Sequence, residues 1–408
     1  MNRKYRALSW ILCLLVCLLP LVSCKENSGE DLQTSTPESE SRQELPSGKD
    51  PEPEPPTSSN EKTYRLAEVA DQIKPIGRSD WSGDALLCDF TASGFEVNVN
   101  ASGTLKMTLD ATAQAYFTVF VDGIRKHNRI SVPAGENVEV ELTDFAAAGE
   151  HSIRVLKQTE AKNSLCLIRA LTVVGTVSER PADRDLLIEF VGDDIFCGFG
   201  NYLCYAGTPE PGSAQYQDGT NALPFLAAEA LNADCSVVSF SGIGLASGTI
   251  SYSMAEAYAK RSYLRDAETG YSFSRTPDLV VIGLGNIDAL NREQITKEAF
   301  KDEVKHLITE IRRLNGRDVP IVWTYGMMND ACMDWAKDAI DELGGEDNWL
   351  FLCELDQNTD GGDGRPNDTA HLSAAGMLST LIRKKRWAEL TGVPPKFLNW
   401  TDLPVLWL

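Results

Sequence analysis

The sequence predicts an α/β fold preceded by an all-β unit, and two contrasting patterns support that prediction. Between about residues 63 and 180, short runs alternate apolar and polar side chains, which is typical of a β-sandwich. After about residue 185, runs that are apolar throughout alternate with helical stretches, which favours a parallel sheet covered by helices on both faces. A length of 408 residues also exceeds what one ordinary core fills.

The start of the chain has the pattern of an export signal. A basic beginning precedes an apolar run at 8–22, which is too short and too close to the terminus for a membrane span. The run ends in Leu-Val-Ser-Cys at 21–24, which resembles a bacterial lipobox and implies that Cys24 carries a lipid. An ordinary secretory signal is the alternative. Residues 1–23 are therefore predicted to be a lipoprotein signal peptide, and the chain is placed at the bacterial cell envelope, anchored to the outer membrane.

Residues 24–62 are rich in Ser, Pro, Glu and Thr, and such a composition buries too little apolar surface to offset the entropy of ordering. We predict a disordered acidic tether there.

The whole chain has a formal net charge of −21, which gives no basis for nucleic-acid binding because phosphate contacts need Lys and Arg. Ten cysteines are present without any Cys-x-x-Cys pair, so no zinc site is predicted. A disulfide between Cys197 and Cys204 is left open.

The all-β unit, assigned to residues 63–180, is expected to be a jelly-roll or β-sandwich domain. Turn residues separate five predicted strands, at 95–99, 105–109, 116–121, 138–142 and 152–156.

The α/β unit, assigned to residues 181–392, is expected to be a three-layer, flavodoxin-like fold. Its predicted strands lie at 186–191, 235–240, 279–284, 319–324 and 349–353, and its helices at 223–231, 297–314, 329–343 and 373–390. Residues 393–408 form a predicted C-terminal extension that packs on the surface. Ligands of such sheets bind beyond the carboxyl ends of the strands, so the segments that follow the strands are the candidate site.

Four segments at strand ends or in loops stand out. They read Gly-Asp-Asp-Ile-Phe-Cys-Gly-Phe-Gly at 192–200, Ser-Phe-Ser-Gly-Ile-Gly at 239–244, Gly-Leu-Gly-Asn-Ile-Asp at 283–288 and Asp-Thr-Ala-His-Leu-Ser at 368–373. In order and spacing they resemble the SGNH (GDSL-like) hydrolases, and more narrowly carbohydrate esterase family 2, whose members place a β-sandwich before the hydrolase domain. Gly-Asp-Asp-Ile-Phe-Cys-Gly-Phe-Gly at 192–200 is similar to the family's Gly-Asp-Ser-Ile-Thr-Cys-Gly-Tyr-Gly, and Ser-Gly-Ile-Gly follows at 241–244. In the β unit, Ile-Gly-Arg at 76–78 and a run ending in Lys-Gln-Thr-Glu at 157–160 match as well. The resemblance covers about residues 65–390.

The resemblance implies hydrolysis of esters, chiefly the removal of acetyl groups from plant-type polysaccharides, without a metal or cofactor. In that chemistry a serine hydroxyl attacks the ester carbonyl while a histidine takes its proton. The resemblance implies that Asp194 occupies the nucleophile position. It also implies that His371 is the general base, oriented by Asp368 three residues earlier.

The oxyanion donors implied by the resemblance are the backbone N–H of Gly242 or Gly244 and the side chain of an asparagine. The family reads Gly-x-Asn-Asp in the third segment, whereas this chain reads Gly-Asn-Ile-Asp at 285–288. Asn286 is therefore one place early, although a slip of one residue in the loop could still present its amide.

The second departure from the family is Asp194 itself, which stands where the nucleophilic serine is expected. A carboxylate attacks an ester poorly, since the product would be a mixed anhydride richer in energy than the ester. Its negative charge would also repel a developing oxyanion. Ser241 and Ser247 in the neighbouring loop are candidates for a rescuing nucleophile.

Several alternatives remain open from the sequence. His371 could be a surface histidine before a helix, and Asp194 a solvated loop acid. Asp288 could serve structure or function, and Trp323 could line a sugar platform or fill the core.

Three functional hypotheses follow. The first is a divergent carbohydrate O-acetylesterase, in which Asp194 acts with His371 on water or serves another bond. The second is a non-catalytic carbohydrate-binding pseudo-esterase at the cell surface. The third is a structural surface protein, against which the pair of Asp368 and His371 counts.

Overall fold

The computed structural model describes residues 61–263 and 270–385. The predicted signal peptide at 1–23, lipidated Cys24, almost all of the tether and the extension at 393–408 lie outside the described residues. Within them, no helix is long and apolar enough to cross a bilayer. All seven cysteines of the described residues are free thiols, so Cys197 and Cys204 form no disulfide.

The first part of the chain forms a nine-stranded, antiparallel β-rich domain within the described residues. Its strands are β1 (Glu61–Arg65), β2 (Ile73–Ile76), β3 (Asp80–Ser82), β4 (Ala85–Cys88), β5 (Gly94–Ala111), β6 (Ala115–Val121), β7 (Ile124–Val132), β8 (Gly135–Lys157) and β9 (Cys166–Val177). The order is β3-β4-β9-β5-β8-β6-β7, with β1 beside β9 and β2 beside β5.

Two of these strands are longer than the sequence predicted. Strand β5 joins the predicted runs at 95–99 and 105–109, and β8 joins those at 138–142 and 152–156. The pairing of β5 with β8 shifts register at three places, beginning between Ala101 and Gly103. Because bulges bend and twist a strand, one continuous strand can serve both sides of a sandwich. Polar residues that suggested turns therefore lie inside bent strands.

The second part of the chain contains an all-parallel sheet of five strands. These are β10 (Leu186–Gly192), β11 (Ala233–Ser239), β12 (Leu279–Gly283), β13 (Ile321–Tyr325) and β14 (Leu350–Glu354), in the order β11-β10-β12-β13-β14. Each lies within two residues of its predicted position. The strands could be recognised because both faces of the sheet are buried, which requires apolar side chains at nearly every position.

Helices cover both faces of the parallel sheet. They are α1 (Leu223–Ala230), α2 (Met254–Ala257), α3 (Asn286–Leu290), α4 (Lys297–Asn315), α5 (Met333–Glu342) and α6 (Asp368–Lys384). Short 3₁₀ helices occur at Leu66–Gln72, Ala214–Tyr216, Gly219–Asn221, Arg292–Gln294, Gly345–Asn348 and Gly362–Gly364. Helices α1 and α6 share one core with the sheet, while α2, α4 and α5 share the other. The predicted three-layer α/β fold preceded by an all-β unit is confirmed.

The two sheets are joined by shared packing and by buried ion pairs. Phe120 and Leu156 of the β-rich domain belong to the same core as α1 and α6. Arg78 is fully buried, donates to Glu189 of β10 at 3.1 and 3.2 Å, and is stacked by aromatic rings. The boundaries at 63–180 and 181–392 stay predictions, but the contacts show that neither sheet is packed independently of the other.

Candidate active site

The candidate site begins where β10 ends, at Asp193 and Asp194. The backbone turns sharply there, since the N–H of Phe199 donates to the carbonyl of Asp194 at 3.1 Å. Both aspartates are buried, so each carboxyl group needs hydrogen-bond partners within the protein.

The Asp194 carboxylate is held by one backbone donor and one cation. Its Oδ1 accepts from the backbone N–H of Gly242 at 2.6 Å. Its Oδ2 accepts from Nε and Nη2 of Arg365, at 3.0 and 2.6 Å. Asp194 and Arg365 are 2% and 12% exposed, so this is a largely buried ion pair rather than a solvated loop acid.

Arg365 is fixed from the side opposite Asp194. Its Nη1 donates to the backbone carbonyl of Asp363 at 2.7 Å and also to the Asp363 carboxylate. The guanidinium lies 4.8 Å from the ring centroid of Phe199. Burial lowers the pKa of Arg365, but the charge and hydrogen bonds of Asp194, together with the charges of Asp363 and Asp193, raise that pKa above its ordinary value. The side chain therefore remains a cation at any ordinary pH.

These contacts place Arg365 at the distance from Asp194 at which a general base would have to lie. A general base must lie within hydrogen-bonding reach of the group it deprotonates, about 2.6–3.2 Å between heavy atoms. Among the described residues, the ionisable side chain that meets this criterion toward Asp194 is Arg365. It comes from the loop between β14 and α6, which is the element that the sequence assigned to the base.

The structure does not bring Asp368 and His371 together, which corrects the dyad expected from the sequence. The Nδ1 of His371 accepts the backbone N–H of Leu223 at 3.1 Å, at the start of α1. The carboxylate of Asp368 is exposed and accepts from the backbone of Thr369 at 2.7 Å. His371 is buried in the core between α1 and α6, which lowers its pKa to about 3.

The reason for this misassignment is where α6 begins. The predicted helix starts at residue 373, but α6 starts at Asp368, because Asn367 caps it by accepting from the N–H of Ala370 at 2.9 Å. Asp368 is thus the first helical residue and faces solvent. His371, one turn later, faces α1.

Arg365 itself was missed by the sequence analysis, although a signal existed. A buried carboxylate needs a compensating cation, and Asp194 at the end of an apolar strand implied one. The partner is 171 positions away in the chain, so spacing could not locate it.

Two of the three predicted oxyanion donors, Gly242 and Asn286, already donate to carboxyl groups of the protein. The N–H of Gly242 is used by Asp194. The Nδ2 of Asn286 donates to Asp193 at 3.2 Å, so its amide is directed to the neighbouring carboxyl group. Gly244 is packed against the following loop, where an added Cβ would lie 1.8 Å from the carbonyl of Ser247. The structure gives neither Gly244 nor Asn286 a hydrogen bond to the Asp194 carboxylate.

Asp193 differs from Asp194 because no cation faces it. Burial and then the charge of Asp194 raise the pKa of Asp193 to about 8. The neutral form of the Asp193 carboxyl is therefore favoured, whereas the Asp194 carboxylate is paired with Arg365.

Asp288 has a structural role in the adjacent loop. Its two carboxylate oxygens accept the backbone N–H groups of residues 245–247, at 2.9, 2.8 and 2.9 Å. The hydroxyl of Ser247 also points to Asp288, at 3.4 Å. Trp323 is buried and donates to the carbonyl of Leu284, so it belongs to the core and not to a sugar platform.

Ser241 is hydrogen-bonded to the β-rich domain. Its hydroxyl and its backbone N–H both donate to the carboxylate of Glu160, at 2.7 and 2.6 Å. Glu160 ends the Lys-Gln-Thr-Glu motif, and it is itself buried and bonded to Gln217. The motif therefore positions the loop of Gly242, and none of the four histidines is bonded to Ser241.

A pH experiment tests the structural role of His371. Its folded pKa is about 3, against about 6.5 in an unfolded chain, so unfolding takes up a proton between these values. The stability that neutral His371 contributes is complete above pH 6.5 and is lost as the pH falls through that window. We expect the loss to approach about 1.4 kcal/mol per pH unit.

The measurement is denaturant unfolding of the native chain and the His371→Asn variant between pH 7 and pH 4.5. The asparagine can accept the same N–H, and the opposite contribution of Asp193 is common to both proteins. The native chain should lose stability relative to the variant as the pH falls. Parallel curves would show that His371 is not buried in its neutral form.

The fold and the site at the ends of β10, β11 and β12 define an SGNH-type hydrolase scaffold. Solved carbohydrate esterases share this architecture. A family two carbohydrate esterase from Clostridium thermocellum, solved in complex with cellohexaose, is 25% identical with a TM-score of 0.69, over 77% of this chain and 99% of that one. An acetyl xylan esterase from Butyrivibrio proteoclasticus matches in fold with a TM-score of 0.70 and 20% identity, over 80% of this chain and 99% of that one.

More narrowly, the chain is of the carbohydrate esterase family 2 type, with the family's β-rich domain before the SGNH domain. The family model for the carbohydrate esterase 2 N-terminal region matches residues 75–180. The curated cellulase/esterase CelE of Acetivibrio thermocellus is 28% identical over 316 residues. That match takes in 72% of this chain but 37% of the relative, so the chain spans little more than a third of that protein's length. The family resemblance found from the motifs is thereby confirmed, while the assignment of Asp194 to the nucleophile position stays a prediction.

Proposed function

We propose that this protein is a non-catalytic carbohydrate-binding member of the esterase scaffold, held at the bacterial cell envelope by a lipid on Cys24. The observation that carries the proposal is the buried ion pair between Asp194 and Arg365. It stands where an esterase of this type needs a serine and a base.

The first argument concerns the reaction. A carboxylate that attacked an ester would form a mixed anhydride, which lies uphill of the ester. The guanidinium of Arg365 has no lone pair to accept a proton and cannot be deprotonated in a protein. A pair that has neither a competent nucleophile nor a base does not support acyl transfer.

The second argument concerns the oxyanion. A donor stabilises a transition state only if it is free to bind the oxygen on which charge develops. The N–H of Gly242 is already bonded to Asp194 at 2.6 Å, and Asn286 is bonded to Asp193. An ester carbonyl would have to displace a carboxylate that Arg365 holds in place.

The same contacts weigh against Asp194 as a base acting on water. Both of its oxygens are engaged, and the side chain is 2% exposed. A water molecule would have to displace the N–H of Gly242 or the guanidinium of Arg365 to reach the carboxylate.

Carbohydrate as the ligand is supported by the relatives. One structurally similar esterase holds cellohexaose, and another acts on acetyl xylan. A formal charge of −21 suits a neutral glycan better than an anionic one. The cell-envelope location and the lipid on Cys24 rest on the lipobox-like sequence, and display at the surface would place the protein where polysaccharide is met.

The test measures turnover and binding with the purified full chain. We expect no hydrolysis of 4-nitrophenyl acetate or acetylated xylan above the buffer rate, because the ion pair blocks acyl transfer. We expect retention by at least one polysaccharide in affinity electrophoresis with xylan, glucomannan and hydroxyethylcellulose. Hydrolysis by the native chain that is lost in the His371→Ala variant would contradict the proposal and favour a divergent esterase. Absence of both turnover and binding would favour the purely structural role.

A further inference from the structure

A cavity of about 250 Å³ lies beside the Gly242 loop, outside the ion-pair site. Its walls include Phe90 from the β-rich domain and Phe240, which directly precedes Ser241 and Gly242. The cavity is thus formed by both parts of the chain.

Aromatic rings form a continuous wall of this cavity. Tyr263 lies 4.6 Å from Phe240 between ring centroids, and Tyr252 lies 6.5 Å from both. Phe240 in turn stacks on Phe90 at 6.3 Å. The two phenylalanines are 1% exposed, whereas the two tyrosines are only partly buried. Two accessible rings are therefore held by a buried aromatic base, which keeps them in place before any ligand arrives.

The segment that carries Tyr263 is anchored to the β-rich domain. The carboxylate of Asp89 accepts from the hydroxyl of Ser262 at 2.8 Å and from the backbone N–H of Tyr263 at 2.6 Å. Because Asp89 and Phe90 are adjacent, the same turn fixes both sides of the cavity. A preorganised wall loses little conformational entropy on binding.

The polar groups of the cavity are hydroxyls and charges suited to a polyhydroxylated ligand. Among the described residues, the phenol groups of Tyr252 and Tyr263 have no hydrogen-bond partner in the structure. Burial raises the pKa of Tyr252 to about 12, so its phenol remains a donor over the ordinary pH range. Glu256 and Lys260 also line the cavity and add an acceptor and a donor.

We propose that this cavity is a sugar-binding subsite that takes one pyranose ring of a neutral glycan, stacked on Tyr252 and Tyr263. An aromatic wall matches the apolar face of a pyranose, and the surrounding hydroxyl, carboxylate and ammonium groups match its hydroxyls. An apolar ligand would leave the phenol groups of Tyr252 and Tyr263 without partners, and a cation would meet Lys260. The inference rests on the proposed carbohydrate-binding function and extends it to a second position beside the ion-pair site.

The experiment is isothermal titration of the purified full chain with cellohexaose and with xylohexaose. The native chain should bind at least one of them, and Tyr252→Ala and Tyr263→Ala should each weaken that binding at least tenfold. Tyr252→Phe keeps the ring and removes the phenol, so a loss of only about threefold is expected. Tyr64→Ala removes a partly buried tyrosine from β1, away from the cavity, and is the matched control. Circular dichroism and the unfolding midpoint of every variant establish that it folds.

The outcomes separate the subsite from the proposed function. Binding that is unchanged in both folded alanine variants overturns the subsite and leaves a carbohydrate-binding protein whose ligand lies elsewhere. Binding of neither oligosaccharide overturns the subsite for neutral β-linked glycans. Ester turnover by the native chain overturns the proposed function whatever the tyrosine variants do. If Tyr252→Ala or Tyr263→Ala fails to fold, Tyr252→Phe and the NMR chemical-shift changes of the native chain on titration decide the question.

Discussion

A variant that combines Asp194→Ser with Arg365→His is expected to hydrolyse 4-nitrophenyl acetate at least about 100-fold faster than the native chain, since general-base assistance and a freed oxyanion donor are each worth about 10²-fold or more. The two changes would place a hydroxyl and an imidazole where the ion pair now lies. They would also release the N–H of Gly242, which Asp194 now occupies. Asp363, already bonded to Arg365, lies in the right place to orient the new imidazole.

The single variants are as informative as the double one. Asp194→Ser alone would leave a hydroxyl beside a guanidinium that cannot take its proton, and Arg365→His alone would leave no hydroxyl. Both are expected to stay near the buffer rate, because the members of a catalytic pair act as a unit. Asp194→Ala with Arg365→His has the imidazole but no nucleophile, and it is the matched control.

Two results would contradict this account. Activity in Asp194→Ser alone, abolished by adding His371→Ala, would mean that His371 reaches the nucleophile position and that Arg365 is not the base position. A silent double variant that folds and still binds glycan would mean that the oxyanion geometry has been lost together with the pair.

Removing the cation alone should produce the largest loss of stability. Arg365→Met keeps an apolar stem of similar length, removes the guanidinium that lies over Phe199, and leaves Asp194 buried beside a single N–H donor. Breaking a buried ion pair from one side costs about 3–5 kcal/mol, because the remaining charge is uncompensated. We expect a loss of that size in denaturant unfolding at pH 7.

The pH dependence and a second substitution test the cause of that loss. Without Arg365, the folded pKa of Asp194 should rise above its unfolded value. The deficit of the variant should then shrink as the pH falls toward 4 and grow as the pH rises. Adding Asp194→Asn should recover most of the stability at pH 7. A deficit that is independent of pH and unrelieved by Asp194→Asn would assign the effect to lost packing and not to charge.

The parallel sheet could be predicted from the sequence because a strand that is buried on both faces needs apolar side chains at nearly every position. Strands β10 to β14 are apolar throughout, and the amphipathic α4 extends from Lys297 to Asn315, within one residue of its predicted bounds. The sequence analysis divided each of the long strands β5 and β8 into two short strands. Their bulges place polar and small residues inside the strands, and such residues look like turns in the sequence.

The candidate site was predicted in part. Position 194 and the loop of Gly242 do come together, because both follow neighbouring strands of one sheet. The expected pairing of Asp368 with His371 is not found, because a histidine three residues after an aspartate also arises in the first turns of an ordinary helix. What distinguishes the two cases is the helix start at Asn367, a capping interaction that determines which side chains face the core.

The clamp of Glu160 on Ser241 has a consequence for how proteins of this build can diversify. The β-rich domain is not an independent module that recombination could add to, or remove from, an otherwise complete α/β domain. It supplies the carboxylate that shapes the turn of Gly242 and, through Asp89 and Phe90, one wall of the neighbouring cavity. A gene fusion or truncation that separated the two parts would remove Glu160, Asp89 and Phe90 from these contacts along with the domain. We therefore expect the two parts to be inherited together, and a change of ligand to come from substitutions within the joint unit.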